Sequence, residues 1–140
     1  MASPKEVLQK VVKYSEPHSS KNVICELISK AFTTRNLLHF AHWNTKSFAQ
    51  HSALGDLYDA IIDDIDEIVE TYQGKYGLVK ELYTEATKLP SDICKHVKDE
   101  AQWVEDNRMF ISQGDTAIEN LIDTLVGHYH KTVYKLENLS

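Results

Sequence analysis

Apolar residues recur along the chain at spacings of three and four. Gly, Pro and Ser punctuation divides them into two short and four long helical stretches. Ser3-Pro4 opens the first short one, with Pro at a first-turn position and Val7, Leu8, Val11 and Val12 on one side, and Glu16-Pro17 ends it. This reads as an N-terminal arm or short helix over residues 1–17, ahead of a single domain over residues 18–140. Ser19 or Ser20 caps the first long helix, which runs to about Asn44 with Val23, Ile24, Leu27, Ala31, Leu38 and Ala41 on one stripe. After the tight connection Asn44-Thr45-Lys46, the run Ser47-Phe48-Ala49-Gln50 has the capping-box pattern and starts a second helix. It continues to Gln73, and Gly74 and Gly77 close it. A connector follows from Leu78 to Lys88, where Val79, Leu82 and Tyr83 suit a short helix. Leu89-Pro90-Ser91 precedes a third helix lined by Ile93, Val97, Val104 and Ile111. Gly114-Asp115 breaks and recaps the chain, and the last helix carries Ile118, Leu121, Ile122, Leu125, Val126, Tyr129, Val133 and Leu136.

Loop lengths constrain how these helices pack. A few residues join the first helix to the second and the third to the fourth, so each pair should be antiparallel neighbours. The middle connection, from Gly74 to Pro90, is long enough to cross a bundle end to end. An all-α, four-helix bundle with one long crossover is the ferritin-like arrangement. At 140 residues the chain suffices for one compact domain, and its five Gly and three Pro weigh against a β-sandwich. No apolar run approaches the roughly 18 residues that span a bilayer, and no signal peptide opens the sequence. The two cysteines, Cys25 and Cys94, fit neither a disulfide scaffold nor a zinc site and read as small buried hydrophobes, so a reducing, cytoplasmic setting is expected. A net charge of −6 weighs against nucleic-acid binding through a basic field.

The second helix concentrates the candidate chemistry. From Ser47 to Gly74 there is no Lys or Arg, while Asp56, Asp59, Asp63, Asp64, Asp66, Glu67 and Glu70 all fall within it. Leu54, Leu57, Tyr58, Ile61, Ile65, Ile68 and Tyr72 make its apolar face, and Asp56, Asp59, Asp63, Asp64 and Glu67 read as a solvated acidic face opposite. Asp66 and Glu70 lie instead on a flank shared with Gly55, Tyr58, Ile62 and Val69, which looks like a contact surface. Among the histidines, His42 falls inside the apolar stripe of the first helix and His39 nearer its edge. His18, His96, His128 and His130 read as structural or solvent-facing. The Glu-x-x-His pattern of a di-iron centre within a single bundle is absent. His51 and Asp66 are separated by roughly 22 Å along one helix, so they cannot share an ion within one chain. Two copies of the helix packed antiparallel about a two-fold axis near Tyr58–Ile62 would bring His51 of one beside Asp66 and Glu70 of the other. The short hairpin folds His42 alongside His51. Two imidazoles and two carboxylates suit Fe(II), Mn(II) or Zn(II), and iron is the usual occupant of such helical sites.

His42-Trp43-Asn44, Phe48-x2-His51, Asp56-Leu57-Tyr58 and Asp66-Glu67-Ile68-Val69-Glu70 together resemble the core motif of the Dps-type mini-ferritins. The resemblance covers Phe40 to Gly74 and extends to small, divergent ferritin-like proteins of phages and viruses. It implies an iron site between two-fold-related subunits, with His42 and His51 from one chain and Asp66 and Glu70 from its mate. Gly55 stands where the family carries an acid, and Asp56 beside it is the remaining candidate for that ligand. The family oxidises Fe(II) with hydrogen peroxide or oxygen and stores ferric mineral in a shell of twelve subunits. The resemblance therefore implies a homo-oligomer, dimer or dodecamer, with iron (Fe2+/Fe3+) as cargo. The family's lysine-rich DNA-binding tail is only hinted at by Lys5, Lys10 and Lys13. The alternative reading is a non-enzymatic homo-oligomeric bundle that serves as a binding or structural protein, with DNA compaction third.

Overall fold

A computed structural model describes residues 20–140. The segment expected over residues 1–17, and the candidate cap Ser19, lie outside the described residues. Four helices make up the fold: α1 (Ser20–Asn44), α2 (Phe48–Tyr76), α3 (Ile93–Ser112) and α4 (Thr116–Asn138). There is no strand among the described residues. Each helix packs against two others, in the ring α1, α2, α4, α3.

Side-chain bonds fix the direction of every helix. At one end of the bundle, Ser20 Oγ meets Tyr72 Oη at 2.7 Å, Tyr76 Oη donates to the Ser112 carbonyl at 2.8 Å, and Lys75 pairs with Asp115. That end therefore holds the start of α1, the end of α2, the end of α3 and the start of α4. At the opposite end, Lys98 of α3 pairs with Glu137 of α4, and Lys135 lies 3.9 Å from Asp56 of α2. It follows that α2 and α3 run parallel, and that residues 77–92 cross the length of the bundle.

This crossover contains no helix, against the short one expected around Val79, Leu82 and Tyr83. The physical reason is burial: nearly all of the crossover is exposed, so a short helix there would have no apolar face to bury, and an isolated helix of that length is marginal in water. Val79 is the one of the three that is buried, held where its N–H donates to Gln73 Oε1 at 3.0 Å; Leu82 and Tyr83 are exposed.

The helix ends follow local chemistry. Ser47 accepts from the Gln50 N–H at 3.2 Å, but the Gln50 side chain turns to Thr45 Oγ1, so only half of the capping box forms. α2 passes the expected stop at Gln73 and Gly74 and ends at Tyr76, with Gly77 at φ 93° returning its N–H to the Gln73 carbonyl. Asp92 and Asp115 cap α3 and α4 by accepting from the N–H groups of Lys95 and Ile118, each at 3.0 Å. The core joins Ile24, Leu27 and Leu38 of α1 to Leu57, Ile61 and Ile68 of α2, Val97 and Val104 of α3, and Ile118, Ile122 and Leu125 of α4. No helix among the described residues is long and apolar enough to cross a membrane.

Candidate functional site

The α1–α2 hairpin brings His42 and His51 together as the sequence expects. Their rings stack with centroids 3.5 Å apart and planes inclined by 20°. His42 Nδ1 lies 2.6 Å from the His51 carbonyl, and His51 Nδ1 lies 2.8 Å from the His42 carbonyl. A carbonyl only accepts, so each neutral ring carries its proton on Nδ1. The His42 carbonyl belongs to the last turn of α1, where it lacks a helical donor, and the His51 imidazole supplies one. The pair is thus a reciprocal brace across the hairpin, and neither Nε2 is hydrogen-bonded among the described residues.

Gly55, one turn beyond His51, makes room for this brace. A Cβ there would lie 3.2 Å from Cε1 and 3.3 Å from Nδ1 of His42. The space that a side chain would take at position 55 is occupied by an imidazole. Aromatic side chains surround the pair: His39 stacks on Tyr58 at 4.3 Å and packs against Trp43 at 4.4 Å, and the Arg35 guanidinium lies 5.2 Å from the Tyr58 ring. Trp43 and Phe48, 65% and 82% exposed, form an apolar rim that no described part of the chain covers.

The carboxylates stand apart from the imidazoles. Asp66 and Glu70 are exposed further along α2. Asp56 is exposed and faces Lys135 of α4 at 3.9 Å. Among the described residues, no three His, Cys, Asp or Glu side chains converge to hold a metal within one chain. A single copy therefore offers two imidazoles at the α1–α2 hairpin and two carboxylates further along α2. Any site using both must draw on a second copy.

The structure also assembles polar groups that the sequence reading passed over. Asp64, expected on the solvated face, is buried and meets His128 Nδ1 of α4 at 2.5 Å. Glu100 is buried in the middle of the bundle, where its Oε1 accepts from Thr34 of α1 at 2.6 Å and its Oε2 from Tyr129 of α4 at 2.8 Å. Thr34 Oγ1 in turn lies 2.7 Å from His96 Nε2. Burial pushes the Glu100 pKa up to about 7, against the two hydrogen bonds that favour the ionised form. Burial, followed by the Glu100 carboxylate, raises that of Tyr129 well above 10, and burial lowers that of His96. A signal was present: Asp64 sits between Ile61 and Ile68, and Glu100 between Val97 and Val104, each on an apolar stripe.

All-helical packing, an imidazole brace at one end of the bundle and a buried acid at its centre describe this chain's class. Residues 42–136, beginning at His42 itself, match the Family of unknown function (DUF5856), and the chain belongs to that family. It is also similar to the phage T4 protein described as "Uncharacterized 14.6 kDa protein in mobD-ri intergenic region". The two are 28% identical over 115 residues, covering 79% of this chain and 85% of the phage protein. No solved structure matches the chain significantly.

Proposed function

We propose that the chain is a Dps-like protein that binds Fe(II) between copies, with His42 and His51 of one chain facing Asp66 and Glu70 of another, and that it oxidises and sequesters the metal there. The observation that carries this reading is the orientation of the two imidazoles. Metal-bound histidines almost always donate the other ring N–H to a carbonyl or carboxylate, which fixes tautomer and ring direction. His42 and His51 already have that arrangement, with Nδ1 engaged and Nε2 bare. Nitrogen and carboxylate donors together suit Fe(II). The parallel α2 and α3 joined by an end-to-end crossover support a ferritin-like fold, whose members build such centres from helix side chains.

Iron is substrate here. Two Fe(II) ions give one electron each to hydrogen peroxide, whose O–O bond breaks, and two protons complete two waters. The chain's own part is to hold the ions close, with carboxylate charge from Asp66 and Glu70 favouring the ferric product. Asp56 is the weakest of the candidates, because its nearest charged neighbour is Lys135 of α4.

A second reading is a homo-oligomeric bundle without metal chemistry. It is favoured by the brace itself, since two imidazoles that close a hairpin have a structural use with no ion present. Anaerobic Fe(II) titration followed by peroxide separates the two. The metal reading expects saturable binding, weakened at least about tenfold in His51→Ala, Asp66→Ala and Glu70→Ala. Absence of binding, with oxidation rates unchanged by Asp66→Ala and Glu70→Ala, leaves only the oligomer.

A further inference from the structure

The polar groups at the centre of the bundle form a chain with an inner and an outer end. Glu100 and Thr34 are fully enclosed, whereas His96, one turn before Glu100 on α3, is only half-buried. His96 Nε2 points to Thr34 Oγ1, and no hydrogen bond to its Nδ1 exists among the described residues. The imidazole is therefore where this chain of bonds comes nearest to solvent.

Each link in it has two consistent settings. With Glu100 ionised, both its oxygens accept, so Thr34 donates to Oε1 and must itself accept from His96, whose proton sits on Nε2. With a proton on Oε1, the carboxyl group donates to Thr34, Thr34 donates to His96 Nε2, and the ring proton sits on Nδ1. Tyr129 donates to Oε2 in both settings. Neither leaves a polar side-chain atom of Glu100, Thr34 or Tyr129 without a partner, so neither carries the penalty of an unmade bond.

We propose that His96 and Thr34 are the path by which buried Glu100 exchanges its proton with solvent, and that the charge on Glu100 sets the tautomer of His96. In uptake, a solvent proton binds Nδ1. The Nε2–H bond breaks as that proton passes to Thr34 Oγ1, and the hydroxyl's own proton passes to Oε1. One proton enters, one is held, and the ring ends neutral with its proton moved from Nε2 to Nδ1. Release runs the same steps backwards.

The charges around the path come from all four helices. Lys30 of α1 favours ionised Glu100 and opposes charge on His96, while Asp99 of α3 favours it. Asp64 of α2, bonded to His128 of α4, acts on Tyr129. Burial moves the two ends of the path in opposite directions, Glu100 up to about 7 and His96 below its usual 6.5. As pH falls, the acid fills while the imidazole is still neutral.

The test is NMR of the full chain, following the His96 ring nitrogens and the Glu100 side-chain carboxyl carbon between about pH 5 and pH 9. The expected result is a change from Nε2–H to Nδ1–H on acidification, at the same midpoint as the carboxyl titration. Glu100→Gln, whose amide donates to Thr34 at every pH, should hold His96 as Nδ1–H throughout. Thr34→Val should break the correlation. An unmodified chain in which His96 keeps one tautomer while Glu100 titrates, or in which Glu100 does not titrate in this range, overturns the proposal. That decision needs no variant to fold.

Discussion

A glycine in the middle of a helix costs about 1 kcal/mol relative to alanine, and at Gly55 the reason lies across the hairpin. A methyl group there would meet the His42 ring at 3.2 Å, and that ring is held by its bond to the His51 carbonyl. Gly55→Ala should therefore gain little or lose stability in the native background. In a His42→Ala background, where the obstacle is gone, it should stabilise by about 1 kcal/mol. Urea midpoints of the four proteins in this cycle give the coupling directly, and equal effects in both backgrounds would show that the ring is not what keeps position 55 small. Glu100 yields a second prediction at this scale. Its carboxyl rises from the usual 4.5 to about 7, so between those values the native chain keeps a proton that the unfolded chain releases. The stabilisation is complete below about pH 4.5 and is lost as pH rises through 7, a swing on the order of 3 kcal/mol. Glu100→Gln should flatten that slope in denaturation curves taken across the window. His96 works in the opposite sense: with its pKa lowered, it draws on stability as pH falls below 6.5.

Among the elements, the helices were legible because their apolar stripes must match the core they face. Ile24, Leu57, Val97 and Ile122 are all buried as their spacing requires. The crossover was not, because spacing describes which residues share a side, not whether a core lies beneath that side. Leu82 and Tyr83 have helical spacing but stay exposed, so no burial rewards a helix there. Histidines 42 and 51 were legible as a pair from the shortness of the hairpin, but the reciprocal carbonyl bonds were not, since backbone acceptors leave no mark on a sequence. The stop of α2 gives a test at this level. Gly77 sits at φ 93°, a conformation that side chains strain, so Gly77→Ala should destabilise by about 1 kcal/mol or more. A Gly74→Ala change three residues earlier, inside the helix with open space around it, should do the reverse. Thermal melts that rank the two variants the other way would mean the end of α2 is not set by this turn.

Taken as a whole molecule, the bundle is acidic, and its apolar exposure includes an aromatic rim beside the imidazole brace. Trp43, Phe48 and Phe40 together leave a large hydrophobic area open at that end, the kind of surface that marks a contact with another molecule. If that contact is a second copy, sedimentation should give a mass above the 16.0 kDa of one chain. Trp43→Glu or Phe48→Glu should return it toward one chain without loss of helical circular dichroism. A chain that sediments as a monomer at all concentrations would remove the basis for ligands shared between copies. Because α2 is so acidic, an interface of this kind should strengthen as salt screens the like charges, whereas one dominated by opposite charges would weaken.

The direction of the last helix has a practical side. α4 climbs away from the start of α1 and finishes beside Asp56, about one turn past His51, so anything fused beyond Asn138 emerges in the neighbourhood of the stacked rings. A polyhistidine purification tag in that place would add a crowd of competing nitrogen donors next to the atoms whose affinity is in question. The start of α1, at Ser20, lies at the opposite pole of the molecule.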